Sequence, residues 1–487
     1  MYVNRILYFC VVKPCKLDMY KPSTNSRQAS LFWDLETMLD FKHPLFKLAN
    51  MVDWSLFEKS FAPLFCADNG RPPKPIRLMT GLLMLKHLRN VSDEQVVVQF
   101  TENAYYQYFC GLEAFSISAP CASSELVHFR HRIGEKGVEL ILKESIRINL
   151  ALEDRKKEEE DRKNRKNRKN GRGRKSDKDK TAFIDSTVQE KNVTFPTDSK
   201  LLNKIINYCH KVAKAEGIKV RQSYAREIKG LKLAQRFRGK SHSKKKVAKA
   251  DRRMRTIAGR LVRELLRVLP SESKYREHLE LCLSFVNGEL LDGHKIYSLH
   301  EPDVLCSCKG KEHKKYEFGN KVSIVRLWNG IIIGAMAFRN EYDGHTIDRA
   351  KEQALRLYGR TIRILAGDRG YRGQKMSGDT KIMIPDVPKA SDSAYMKARK
   401  HKLFRKRAGI EPVIGHCKSD HRLGRNFYKG LFGDSINVML AAAAYNLKRA
   451  MRLLSCLFRW FIKRLMAEGQ WPVNTCNACT CAHAYSF

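Results

Sequence analysis

The chain has 487 residues, too many for one compact domain and suited to about three. Hydrophobic residues make up 43% of it, enough to bury packed cores, so wholesale disorder is excluded. Lys and Arg number 92 against 51 Asp and Glu, a net charge of +41, and an excess that large implies a polyanionic partner: DNA, RNA or an anionic membrane surface. No stretch approaches the ~18 uncharged apolar residues of a membrane span. The longest apolar run near the C-terminus, Val438 to Tyr445, has the length of a core helix. The patch Ile6 to Val12 lacks a small-residue cleavage site, so no signal peptide is expected. The 14 cysteines are scattered, and Cys66, Cys110, Cys209 and Cys282 sit in apolar surroundings. Reduced thiols of a cytoplasmic protein are expected, not a disulfide framework.

Residues 1–30 read as a peripheral extension, with Met19 as a second plausible start. Residues 31–152 read as a helical domain. Ile76 to Leu88 is densely apolar, and Ser92 with Gln95 forms a capping box ahead of Val96. Ser124 is a cap for a helix whose Leu126, Phe129 and Ile133 share a face. The opposite face carries His128, Arg130, His131 and Arg132; it reads equally as a helix offered to a DNA groove or as an ordinary surface, and the charge of the chain favours DNA, with Arg130 and Arg132 as contacts. Residues 153–180 form a charged low-complexity run expected to be a solvated linker.

Ala182 to Val188 is strand-like. Residues 200–280 return to helix, with Met254, Ile257, Leu261, Leu265 and Val268 on one stripe. That segment holds 24 Lys and Arg against 7 Asp and Glu, so its outer face must be strongly basic and suited to DNA. Strands are expected at 295–299, 316–325, 331–338, 361–366 and 381–384, with a helix over 346–358. Residues 404–455 read as helical apart from a loop around 422–434, and the tail from 456 carries no clear pattern beyond 467.

Three carboxylates stand in positions that need a reason. Asp185 lies inside an apolar strand, where a charge requires a partner or a metal. Asp368 ends a buried strand in a glycine-rich turn flanked by Arg369 and Arg372, the place where open α/β sheets build sites. Glu411 opens a helix after Gly409, with Pro412 in its first turn, and Lys418 follows two turns along the same face, about 10 Å away. Singly, each is also an ordinary turn, loop-bonded or surface residue. Together, three carboxylates suit Mg2+, and a pair of such ions about 4 Å apart activates a water or hydroxyl and stabilises the leaving oxygen of a phosphodiester. Cys306, Cys308 and His313, and Cys476, Cys479, Cys481 and His483, lack the second ligand pair of a structural zinc site, and no zinc is expected.

These segments resemble the DDE transposases of bacterial insertion sequences, in the group with a Tyr-x2-Arg-x3-Glu-x6-Lys signature. Here it reads Phe404-x2-Arg407-x3-Glu411-x6-Lys418, with Phe in the first position. Phe183-Ile184-Asp185-Ser186-Thr187, Gly367-Asp368-Arg369-Gly370-Tyr371, Leu299 to Pro302, Tyr316 to Lys321 and the region from Phe61 to Ile133 are also similar to the family. The resemblance implies an α/β fold: a ribonuclease H-like catalytic core over 181–455, an N-terminal helical domain, and a basic helical insertion at about 200–290. It implies Asp185, Asp368 and Glu411 as catalytic residues and metal ligands for two Mg2+ ions, with Mn2+ able to substitute. Arg407 and Lys418 are implied as DNA contacts. The partners implied are the terminal inverted repeats and target DNA, with a homodimer assembled on the DNA ends, in the cytoplasm with the nucleoid. The alternatives are a transposase-derived DNA-binding protein that no longer cuts, and a basic RNA-binding protein.

Overall fold

The computed structural model of the chain describes residues 34–65, 73–165, 180–236, 243–308, 315–386 and 391–467. The readings for residues 1–30, Cys66, His313, most of the charged run and the tail beyond 467 lie outside them.

Among the described residues the first helices are α1 (Leu35–Met38), α2 (Pro44–Met51), α3 (Trp54–Phe61), α4 (Ile76–Leu88), α5 (Asp93–Glu102), α6 (Ala104–Phe109) and α7 (Ser123–Arg165). Apart from Arg77, every residue of α4 is buried, as an all-round apolar helix requires. The capping box of α5 is formed: Gln95 N donates to Ser92 Oγ at 3.1 Å, and Ser92 N to Gln95 Oε1 at 3.0 Å. Leu126, Phe129 and Ile133 are buried on one face of α7. Helical geometry breaks at Gly134, whose φ of 63° is a conformation that glycine adopts without penalty. Helix α7 then runs to Arg165, well into the expected linker. Lys, Glu and Arg are good helix formers. Two acidic residues of this stretch are also tied down, Asp154 by Arg360 at 3.0 Å and Glu153 by Arg449.

Strand β1 (Thr181–Glu190) is the spine of a mixed seven-stranded sheet. On one side it pairs antiparallel with β3 (Tyr316–Leu327) from Ala182 opposite Leu327 to Glu190 opposite Gly319. The far edge of β3 carries β2 (Cys306–Cys308) and β4 (Ile332–Phe338), both antiparallel. On the other side, β1 pairs parallel with β5 (Ile364–Ala366), which pairs parallel with β7 (Thr380–Met383); β6 (Met376–Ser377) closes that edge antiparallel. Residues 295–299 form no strand. Ile296 and Leu299 bury into the neighbouring helices instead of joining a ladder.

Between β1 and β3 the chain inserts α8 (Asp198–Ala215), α9 (Ala225–Gln235), α10 (Lys244–Val268) and α11 (Arg276–Asn287). They close around a core of their own, including Leu202, Ile205, Cys209, Met254, Ile257, Leu261, Leu265 and Cys282. The apolar stripe of α10 ends one turn earlier than its sequence spacing indicates, because Val268 is exposed. The outer face of α10 presents Lys244, Lys245, Lys246, Lys249, Arg252, Arg260, Arg263 and Arg267 to solvent.

After α12 (Ile347–Tyr358), α13 (Ala394–Arg407) and α14 (Ile410–Asp420), the long α15 (Gly430–Ala467) packs on α2, α4, α7 and β4. The N-terminal helices and the sheet therefore share one hydrophobic core, from Leu45 to Leu454. Among the described residues no helix is long and apolar enough to cross a membrane, and Cys110, Cys209, Cys282 and Cys417 are buried free thiols.

A buried polar knot joins α15 to the sheet. Asp434, fully buried, accepts from Gln189 Nε2 at 2.9 Å, Asn320 Nδ2 at 2.8 Å and Asn426 Nδ2 at 2.6 Å, and pairs with buried Lys191 at 3.0 Å. Removing one member of such a cluster strands the others without water. Asp434→Ala is expected to lower unfolding free energy by about 3–5 kcal/mol in urea titrations.

Candidate active site

The register of the parallel pair β1–β5 decides where two of the carboxylates lie. Phe183 stands opposite Ala366, and two residues further along each chain stand Asp185 and Asp368. Neighbouring strands run about 4.8 Å apart, so the sheet carries these two side chains abreast. Asp185 is nearly buried, whereas the side chain of Asp368 is 41% exposed at the mouth of its turn. One oxygen of each is held by a backbone amide: Asp185 Oδ1 by Ser186 N and Asp368 Oδ1 by Gly370 N, both at 2.9 Å. The other oxygens turn to the same guanidinium. Arg407 Nη2 lies 2.9 Å from Asp185 Oδ2 and 3.9 Å from Asp368 Oδ2.

Glu411 enters from α14, which packs against β1. Its place in the first turn is favourable for a carboxylate, because the helix dipole is positive there. Burial pushes the Asp185 carboxyl up to about 6; Arg407 pulls it down, and the charges of Asp368 and Glu411 push it up again. The structure thus gathers Asp185, Asp368 and Arg407 into direct contact, with Glu411 within electrostatic reach. Lys418 lies seven residues further along α14, half-buried.

A second set of residues, to which the sequence analysis gave no role, fixes this arrangement. Ser186 Oγ donates to Asp343 Oδ2 at 2.7 Å, and Lys321 Nζ donates to Asp343 Oδ1 at 2.8 Å. Buried Arg326 donates from Nη2 to the carbonyl of Lys406 at 2.6 Å and lies over the Phe183 ring. It therefore pins the end of α13 to the sheet. Gly409 makes the joint between α13 and α14 possible, since a Cβ there would come within 2.8 Å of Arg326 Nη2. Asp343 opens a short 3-10 turn, Asp343–Thr346, that nothing in the sequence distinguishes from other surface turns.

The remaining sequence-derived contacts separate. Arg132 is exposed, with its guanidinium carbon 4.6 Å from the centre of the Phe65 ring. Arg130 is not on a surface face. It is buried, makes a bidentate pair with Asp93 at 2.8 and 3.0 Å, and lies 4.5 Å from the Tyr428 ring centre. The alternation of charge along α7 hid that Arg130 turns inwards, to neutralise Asp93 together with Lys86 at 2.8 Å. Around them opens a cavity of about 640 Å³ that also meets Arg422, Phe427 and Lys429.

The transposase domain family DUF772 matches residues 33–132, and the transposase DDE domain family matches residues 290–447. The chain is also similar to "Uncharacterized protein ORF8 in nfe locus" of Rhizobium meliloti, with 35% identity over 221 residues, 45% of this chain and 96% of that protein. The chain belongs to the DDE-type transposases of insertion sequences. Its DDE match holds Asp368 and Glu411 but begins after Asp185 and the basic insertion. The place of Asp185 in this transposase therefore rests on geometry. No solved structure matches the chain.

Members of the family generally use divalent metal ions. Among the described residues no three His, Cys, Asp or Glu side chains stand together as a formed metal site; the Arg407 guanidinium lies between the two aspartates. Carboxylate oxygens such as those of Asp185, Asp368 and Glu411 are of the kind that suits a hard cation such as Mg2+ or Mn2+.

The raised Asp185 carboxyl has a consequence for stability. Its folded-state value, about 6, exceeds the ordinary 3.8, so the folded chain holds this proton more tightly than the unfolded one. Its stabilising contribution is complete below pH 3.8 and is lost as pH rises to about 6. In chelator-treated protein, Asp185→Asn is expected to flatten the fall in urea midpoint across that window; an unchanged slope assigns it to other groups.

Proposed function

We propose that the transposase binds the terminal inverted repeats of its insertion sequence and catalyses metal-dependent strand cleavage and strand transfer from a ribonuclease H-like core. The strand order supports the fold: three antiparallel strands, β4, β3 and β1, followed by two parallel to β1, β5 and β7. The observation that carries the chemistry is the placement of Asp185 and Asp368 abreast, with Glu411 near them. A single carboxylate can be structural; in this reading buried Asp185, with Asp368 and the exposed Glu411 at the mouth of the site, supplies the ligands of a cation site.

In this reading Asp185, Asp368 and Glu411 hold two Mg2+ ions, for which Mn2+ substitutes. When bound, the ions activate the attacking water or hydroxyl and stabilise the leaving oxygen. The protein orients the reacting phosphodiester. Lys418, one helix face along from Glu411, grips a backbone phosphate, as does Arg407, and both lie in the Phe404-x2-Arg407-x3-Glu411-x6-Lys418 series. Arg132 and the basic face of α10 hold DNA farther away. Cleavage and joining at paired ends call for a homodimer on the DNA.

Asp185→Ala, Asp368→Ala and Glu411→Ala should each abolish Mg2+-dependent nicking of labelled terminal-repeat DNA while leaving its gel-shift affinity within a few-fold. The losses should be similar and non-additive, because one site needs all its ligands. A variant that still cuts removes its residue from the site, and a wild-type chain that binds the ends yet never nicks them is a DNA-binding protein only.

Affinity for the same DNA should fall steeply with salt, with a log–log slope of about −0.9 per phosphate neutralised. Replacing Lys244, Lys245, Lys246 and Lys249 with Ala should make that slope shallower by several such steps. An unchanged slope means the α10 face lies off the DNA.

A further inference from the structure

Arg407 stands in two roles at once. Its place in the signature series makes it a DNA contact under the function proposed above, yet its guanidinium lies 2.9 Å from Asp185 and 3.9 Å from Asp368. We propose that Arg407 is a resident counter-charge that keeps the carboxylate site closed to divalent cations until a DNA phosphate draws the guanidinium away. This rests on the reading of Asp185, Asp368 and Glu411 as metal ligands.

Three observations carry it. The first is position: Arg407 Nη2 bonds the very oxygen of Asp185 that is left over after Ser186 N takes the other. That Oδ2 is the Asp185 oxygen not engaged by the backbone, and Asp368 turns its own Oδ2, likewise not engaged by the backbone, to the same nitrogen. A dication placed against these oxygens would stand beside the guanidinium, and like charges at such separations repel by several kcal/mol at an effective dielectric of about 20.

The second observation is that the guanidinium is incompletely satisfied where it stands. Arg407 Nε is buried and has no hydrogen-bond partner. A guanidinium bound to a phosphate commonly offers two parallel donors; here one of them is unused. The resting pose is thus held by charge more than by geometry, which makes it displaceable by a better-matched anion.

The third concerns what moves. The end of α13 is fixed, since Arg326 holds the Lys406 carbonyl at 2.6 Å and fills the space beside Gly409. The backbone of Arg407 therefore stays in place while its long side chain changes rotamer. Arg405 and Lys406 are exposed on the same final turn of α13, so a strand drawn to that turn brings a phosphate to Arg407. DNA docking and metal loading become one linked equilibrium: each must tighten the other by the same factor. Such coupling keeps a phosphodiester-cutting site unloaded away from its substrate.

The test measures Mn2+ binding to the full-length chain by electron paramagnetic resonance, with and without a duplex of the inverted-repeat end flanking the coding sequence. Without DNA, Arg407→Gln should bind Mn2+ about ten-fold more tightly than wild type, the opposite of what loss of a supporting residue does. DNA should tighten Mn2+ binding by wild type and leave Arg407→Gln unchanged, with Arg407→Lys between them. Equal or weaker Mn2+ binding by a folded Arg407→Gln chain overturns the proposal, as does equal tightening by DNA in both. Asp185→Asn separates this failure from failure of the site: if it retains full Mn2+ affinity, the carboxylate assignment is wrong. Should Arg407→Gln not fold, wild type alone decides, because absence of any DNA-dependent gain in Mn2+ affinity refutes the linkage.

Discussion

A charged carboxylate in the middle of a buried strand has to be answered by an opposite charge, and the architecture around β1 is arranged to supply one. Asp185 follows Ala182, Phe183 and Ile184 along its strand and lies nine-tenths out of water. Isolated there, its charge would carry a desolvation cost large enough to neutralise it. The answer arrives from a distant part of the sequence: α13 must end at Arg407, turn at Gly409 and restart as α14, with Arg326 bracing the joint from β3. The same turn that delivers the guanidinium delivers Glu411. Compensation of one buried charge and delivery of Glu411 towards the two aspartates are therefore one structural event.

The rest of the molecule holds that event still. Because α15 packs against N-terminal helices on one side and β4 on the other, the helical region and the sheet are not free to rock against each other. Asn446 makes this concrete: its amide bonds both the N–H and the C=O of Ile332, at 3.0 and 2.8 Å, and also meets Ser145 of α7. Edge strand, long helix and N-terminal bundle meet at a single side chain.

Local signals in the sequence carried the elements whose burial is periodic. The apolar α4, the α5 capping box, the stripe of α10 and the long strands β1, β3 and β4 were readable because the side chains that define them lie close in the chain. The positions of Asp185, Asp368 and Glu411 were readable for another reason: a charge in an apolar strand, a glycine-rich strand end and a Gly-x-Glu-Pro helix start are each locally odd. What could not be read was pairing over distance. Arg130 and Asp93 are 37 residues apart, and only the fold shows that one neutralises the other. The bond from Arg407 to Asp185 spans 222 residues, and the support from Asp343 and Arg326 is likewise tertiary. The continuation of α7 to Arg165 was masked for a related reason, because low apolar content reads as a linker unless the ion pairs from Arg360 and Arg449 are known.

The split of the sheet by the basic insertion bears on how the chain can come to its fold. As β1 leaves the ribosome, its partners β3 and β5 are more than a hundred residues behind it. An unpaired, apolar ten-residue strand is a hazard for that interval, because its edges invite pairing with other chains. The insertion has its own core and needs no contact with the sheet to bury it. It can therefore collapse while β1 waits, shortening the effective loop that β3 must close and lowering the entropic cost of the long antiparallel β1–β3 pairing. The segment richest in positive charge would then act first as a folding spacer, keeping nascent chains apart by mutual repulsion before any DNA is met.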